Sequence, residues 1–132
     1  MDNKSDKNSI EGIRILLVDD CRMNRLLVAK SLENYNVKLV EAVNGKEGVK
    51  LALEQKFDVV LMDQKMPEMN GLDAIIEIRK KYDSNFLPIF AFTADDTEDT
   101  IKKIREAGVN DTIPKPFVVD EFIEKLKSIY KN

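Results

Sequence analysis

The sequence predicts an α/β fold in which five parallel strands alternate with five helices to form one doubly wound sheet. Three observations predict it. Short apolar runs alternate with longer segments of helical spacing, which is the pattern of βα units. Three of the runs are almost continuously apolar, as strands covered by helices on both faces are. Cap and turn residues fall between the segments, and 132 residues suffice for one core but not for two.

The first ten residues are polar as far as Ser9, so 1–9 read as a mobile tail and 10–132 as the domain. The strands are predicted at Ile13 to Val18, Val37 to Val43, Phe57 to Met62, Leu87 to Thr93 and, more weakly, Val109 to Ile113. Between them the apolar spacing predicts helices. Arg22 to Glu33 pairs Met23 with Leu27 and Val28 with Leu32 at i, i+4, and Gly45 to Gln55 pairs Val49 with Leu53. Leu72 to Lys81 carries Ile75, Ile76 and Ile78; Thr97 to Ala107 carries Ile101 and Ile104; Val119 to Tyr130 carries Phe122, Leu126, Ile129 and Tyr130. Asn44 three residues before Glu47 matches a capping box, and Gly108 stands where a helix closes with positive φ. Phe90 and Phe92 lie in an apolar strand and are expected in the core.

Composition removes several function classes. The net charge is -3 with both signs interspersed, so no patch argues for direct nucleic-acid binding. No apolar run approaches the roughly 20 residues of a membrane span, and no signal peptide opens the chain, which makes a cytoplasmic protein the expectation. The single cysteine, Cys21, excludes an internal disulfide and is read as a small residue opening the first helix. There is no histidine. Ser-His and Cys-His hydrolases, His-ligated metal sites and phosphohistidine carriers are thereby excluded, and any phosphoryl chemistry falls to carboxylates, lysines and hydroxyls.

In a doubly wound sheet, ligands sit beyond the carboxyl ends of the strands. Asp19 and Asp20 follow the first predicted strand, Asp63 the third, Thr93 ends the fourth and Lys115 follows the fifth. Three carboxylates meeting there repel unless a cation neutralises them, and hard oxygen ligands favour Mg2+. One carboxylate can then act as nucleophile toward phosphorus; Asp63, alone at the end of a buried strand, suits that role. Lys115 and Thr93 would stabilise charge on the phosphoryl oxygens. Taken singly, each residue also fits a plainer reading: a solvated turn for Asp19 and Asp20, a loop residue for Asp63, a surface lysine for Lys115, a β-propensity residue for Thr93.

Val18-Asp19-Asp20, Leu61-Met62-Asp63-Gln64-Lys65-Met66-Pro67 with Gly71, Phe92-Thr93-Ala94, and Lys115-Pro116-Phe117 resemble the motifs of response-regulator receiver domains, in order and at the family spacing. The resemblance covers about Ile13 to Tyr130. It implies a flavodoxin-like sheet of order 2-1-3-4-5, with Asp63 as phosphoacceptor and Asp20, Asp63 and the Lys65 carbonyl on Mg2+, Asp19 acting through water. It also implies Thr93 and Lys115 on the phosphoryl group and a cis bond between Lys115 and Pro116. By the same resemblance Lys65 and Asp95 flank the site, and a pair between them could screen attacking water. The segment Asp19 to Arg25 is similar to receivers joined to hybrid sensor kinases. The implied partners are a histidine kinase or histidine phosphotransfer protein that docks on the first helix, together with a downstream protein target.

One position departs from the family pattern. Thr112 stands three residues before Lys115, where receivers commonly carry Tyr or Phe, so the signal is expected to pass through loop and helix movement near Thr93 to Ile104. With no output domain after Tyr130, the chain is expected to act by partner binding or as a phosphoryl relay. It would be a signalling domain with intrinsic phosphotransfer and slow self-dephosphorylation, not an enzyme proper. Three rivals remain at this point: an aspartate-nucleophile phosphatase, a receiver-like interaction domain working without phosphorylation, and a nucleotide-binding domain. The last lacks a Gly-rich loop after the first strand.

Overall fold

The computed structural model describes residues 10–66 and 69–130, so the expected tail at 1–9 lies outside the described residues. Strands β1 (Arg14–Val18), β2 (Lys38–Ala42), β3 (Val59–Asp63), β4 (Ile89–Thr93) and β5 (Asp111–Pro114) alternate with helices α1 (Arg22–Leu32), α2 (Gly45–Glu54), α3 (Gly71–Arg79), α4 (Glu98–Ala107) and α5 (Val119–Tyr130). All pairings are parallel and the order is β2-β1-β3-β4-β5, as expected.

Alternation along the strands divides the core between two faces. Ile15, Leu17, Val59, Leu61, Phe90 and Phe92 pack against Val28 and Leu32 of α1 and Phe122, Ile123 and Leu126 of α5. Leu16, Val18, Val60, Met62 and Ile89 pack on the other side against Ala52 of α2 and Ala74, Ile75 and Ile78 of α3. Each of the Val, Leu, Ile, Phe and Met side chains among them, fully withdrawn from water, contributes about 1.5–3 kcal/mol. Phe90 meets Phe122 edge-on at 6.0 Å between ring centroids, which fixes α5 on the sheet.

Helix faces depart from the spacing in informative ways. Of the two α1 pairs only Val28 and Leu32 are buried; Met23 is 70% and Leu27 42% exposed. On α2 the packing face is Gly45, Gly48 and Ala52, with Val49 and Leu53 only half-buried. A Cβ at Gly48 would collide with the Val18 side chain, so that glycine lets the helix lie close against β1. Ile76 of α3 is likewise 42% exposed.

The helix ends follow their cap residues. Asn44, Asn70 and Thr97 accept hydrogen bonds from the N–H groups of Glu47, Asp73 and Thr100, and Gly108 ends α4 at φ +108°. The fifth strand begins two residues later than its apolar pattern indicates. Asn110 donates its backbone N–H to the Ile89 carbonyl, but the Ile89 N–H is taken by the Asn110 side-chain Oδ1, which also accepts from Arg79 Nη2, so the side chain replaces one rung of the ladder there. Arg79 also donates to the carbonyls of Tyr82, Leu87 and Gly108, tying the end of α3 to the loops that lead into β4 and β5. Burial lowers the Arg79 pKa, and the charge of Asp83 opposes that shift.

Candidate functional site

Strand register brings the chemistry together. Val18 is level with Met62, so Asp19 and Asp63, the next residues, emerge side by side from β1 and β3. Asp63 is level with Phe92, and Thr93 with Pro114, which sets Thr93 and Lys115 just beyond them on the neighbouring strands. Carboxylate oxygens of Asp19, Asp20 and Asp63 lie within 4.8 Å of one another. The Lys115 ammonium is 2.8 Å from Asp63 Oδ1 and 3.4 Å from Asp19 Oδ2.

The three acids are not equivalent. Asp19 is fully buried and Asp63 is 4% exposed, whereas Asp20 is exposed at the mouth of the site. Asp19 accepts from Cys21 N–H at 2.8 Å and from Asn24 Nδ2 at 3.2 Å, while its carbonyl accepts from Arg25 Nη1 at 2.8 Å. Among the described residues the Asp20 side chain makes no hydrogen bond or ion pair, which leaves its oxygens available to a ligand. An open cleft of about 210 Å3 runs past Asp20, Asn24, Asp63, Lys65, Thr93 and Lys115.

Burial raises the Asp63 pKa, Lys115 opposes the rise through its hydrogen bond, and the neighbouring charge of Asp19 adds to it. The Lys115 pKa is pulled down by burial but raised on balance by the hydrogen bond and charge of Asp63 and the charge of Asp19. The net direction for both groups is upward, led by burial for Asp63 and by the neighbouring acids for Lys115, and three carboxylates face one ammonium. The hard oxygen donors of the site therefore fit a hard divalent cation.

Thr93 Oγ1 accepts from the Asp95 N–H at 3.0 Å, and the Thr93 carbonyl accepts from the Lys115 N–H at 3.1 Å. The Lys115–Pro116 peptide is cis. Asp95 turns toward α4, while the Lys65 charge acts on it without a close ion pair between the two among the described residues. Its Oδ1 accepts from Thr97 N–H and its Oδ2 from the Thr100 hydroxyl, and the Thr97 and Thr100 hydrogen bonds hold its pKa below the ordinary aspartate value. Thr112 is half-buried and its carbonyl accepts from Lys125 Nζ. Sequence reasoning missed the support under Asp19: Asn24, and Arg25 with its ion pair to Glu41 at 2.9 Å. The available signal was the helical placement of two polar side chains one turn after Asp20.

The model of the response regulator receiver domain matches residues 15–127. The chain belongs to that family. The receiver is 38% identical to the chemotaxis protein CheY of Thermotoga maritima, across 91% of this chain and 99% of that one. It is 36% identical to the CAI-1 autoinducer sensor kinase/phosphatase CqsS of Vibrio cholerae across 86% of this chain. The receiver spans only 17% of CqsS and 13% of the autoinducer 2 sensor kinase/phosphatase LuxQ of Vibrio vulnificus. Among solved structures, the receiver domain of sensor histidine kinase PA1611 from Pseudomonas aeruginosa, which has a magnesium ion coordinated in its active site cleft, superposes with a TM-score of 0.83 at 30% identity. That match covers 92% of this receiver and 99% of that chain. No helix among the described residues of the receiver is long and apolar enough to cross a membrane.

Proposed function

We propose that this receiver accepts a phosphoryl group on Asp63 from a phosphohistidine of a partner protein and that the modification changes its binding to a downstream protein. The observation that carries the reading is the convergence of Asp19, Asp20 and Asp63 on one point with Lys115 bound to two of them. A magnesium ion, held by Asp20, Asp63 and the Lys65 carbonyl with Asp19 behind them, would neutralise phosphoryl oxygens and lower the cost of bringing an anion to an acidic site.

The chain's own residues do the rest. A carboxylate oxygen of Asp63 attacks phosphorus; the new O–P bond forms as the P–N bond breaks, and the imidazole leaves with the electron pair. Lys115 turns from Asp63 to a phosphoryl oxygen, and the Thr93 hydroxyl donates to another. When Thr93 turns, the Asp95 N–H loses its acceptor, and the start of α4 is released from the end of β4. The equilibrium shifts by the difference in phosphoryl affinity between the two arrangements. The activity is stoichiometric transfer followed by slow loss, not turnover.

The partner docks on α1. Met23, Leu26 and Leu27 stand 70%, 51% and 42% exposed on one side of that helix, beside the mouth of the cleft. Three exposed apolar side chains grouped at i, i+3 and i+4 on one helix fit a helical partner laid against α1.

The test is incubation with acetyl phosphate and Mg2+ followed by intact-mass measurement. Wild type is expected to gain one phosphoryl group, with none gained by Asp63→Asn or in the presence of a chelator. An unmodified wild type that also fails to bind millimolar Mg2+ would point instead to an interaction domain working without phosphorylation.

A further inference from the structure

Asp19 is fully buried, and its carboxylate depends on three donors. Cys21 N–H donates to Oδ1 at 2.8 Å, the Asn24 side-chain amide donates to Oδ2 at 3.2 Å, and Lys115 Nζ lies 3.4 Å from that same Oδ2. The same ammonium is 2.8 Å from Asp63 Oδ1. One cation is shared between two acids, while among the described residues Asn24 donates to Asp19 alone.

The sharing becomes a conflict if Lys115 has to move to a phosphoryl group, and the inference rests on that reading of the site. A buried carboxylate oxygen left without a donor is strongly disfavoured. Were Lys115 the sole partner of Oδ2, Asp19 would hold the lysine back. We propose that Asn24 is a positioning residue, which keeps Asp19 Oδ2 satisfied and in place as Lys115 turns to the phosphoryl group.

The local structure suits this role. Asn24 sits in the first turn of α1, and that turn is anchored by Arg25, which donates to the Asp19 carbonyl at 2.8 Å and pairs with Glu41 at 2.9 Å. The amide is therefore presented from a fixed element rather than from a loop. It is also neutral. It can satisfy the carboxylate without adding a charge that competes with Lys115 or with a divalent cation.

The test uses beryllofluoride as the phosphoryl mimic at saturating Mg2+, followed by fluorine NMR, with Mg2+ binding measured separately by calorimetry. Asn24→Ala is expected to weaken beryllofluoride binding by about tenfold. Mg2+ affinity without the anion should be nearly unchanged, because Lys115 still holds Asp19 in that state. Asn24→Gln retains the amide and should recover most of the binding. In an Asp19→Asn background the charge restraining Lys115 is gone, and Asn24→Ala should have no further effect. Alanine is the better helix former at this half-buried position, so the variant is expected to fold, with circular dichroism as the check. Wild-type binding by a folded Asn24→Ala, or an equal loss in both backgrounds, overturns the proposal and leaves the phosphoacceptor reading intact. A wild type that does not bind beryllofluoride overturns both.

Discussion

Lys115 Nζ lies 2.8 Å from Asp63 Oδ1 although 52 positions separate the two residues. Strand β4 stands between their strands, so the contact exists only because the parallel sheet brings three strand ends to one rim. It links the cation of the site to the proposed nucleophile, and it is the contact that phosphorylation would have to break.

Removing the ammonium leaves three carboxylates facing one another. Lys115→Met is expected to lower stability by about 2 kcal/mol in urea unfolding, less than a fully enclosed pair would lose, since the lysine side chain stays 19% exposed. The raised pKa of Lys115 means its contribution is fully present below the unfolded lysine value of 10.5 and is lost only as pH rises through the higher folded value. Millimolar Mg2+ should raise the melting temperature of the variant by more than that of wild type, because the ion replaces the missing charge. An equal increase in both would mean that the ion binds elsewhere.

Gly71 opens α3 directly beneath the site. A Cβ there would overlap the Asp63 carbonyl oxygen, so Gly71→Ala must push α3 or β3 aside. The expected loss is about 3 kcal/mol, with Mg2+ binding weakened in the same variant because Asp63 is displaced. Unaltered calorimetric Mg2+ binding would show that α3 yields instead and leaves Asp63 in place.

The strand ends were legible in the sequence because a buried parallel strand leaves a simple signature, an apolar run followed by the first polar residue. Asp19, Asp63 and Thr93 follow that rule, Lys115 follows a short, half-polar edge strand instead, and all four meet. Helix faces were less legible. Periodicity counts apolar residues but does not say which are covered, so Met23 and Leu27 scored as core when they face outward. On α2 the packing runs through Gly48 and Ala52, which carry little hydrophobic signal. The difference between a buried Asp19 and an exposed Asp20 depends on Asn24 and Arg25 reaching back from α1, contacts that only the fold creates. The same holds for Asp95, whose carboxylate hydrogen-bonds Thr97 and Thr100 and feels Lys65 through its charge alone.

Asp95 braces Thr97, the cap residue of α4, and its pKa is depressed chiefly by the Thr97 backbone hydrogen bond and then by Thr100. A depressed carboxyl stabilises the fold above its unfolded pKa of 3.8 and loses that contribution as pH falls through the lower folded value. Asp95→Ala is therefore expected to melt below wild type at neutral pH, with the gap closing in the acid range below about pH 4. A gap independent of pH would assign the effect to packing rather than to the Asp95 charge.

The exposed side of α1 separates partner docking from chemistry. Leu26→Asp should slow phosphoryl transfer from a histidine phosphotransfer domain by about tenfold or more, and by far more than it slows labelling by acetyl phosphate. Equal slowing with both donors would place the partner on another face.

The central claim is that Asp63 forms the acyl phosphate, and hydride trapping addresses it most directly. Protein treated with a phosphodonor and Mg2+ is reduced with borohydride, which converts an aspartyl phosphate to homoserine, and the peptides are sequenced by tandem mass spectrometry. The account predicts homoserine at position 63 and at no other aspartate. Homoserine at Asp19 or Asp20, or undiminished trapping in Asp63→Asn, would contradict it.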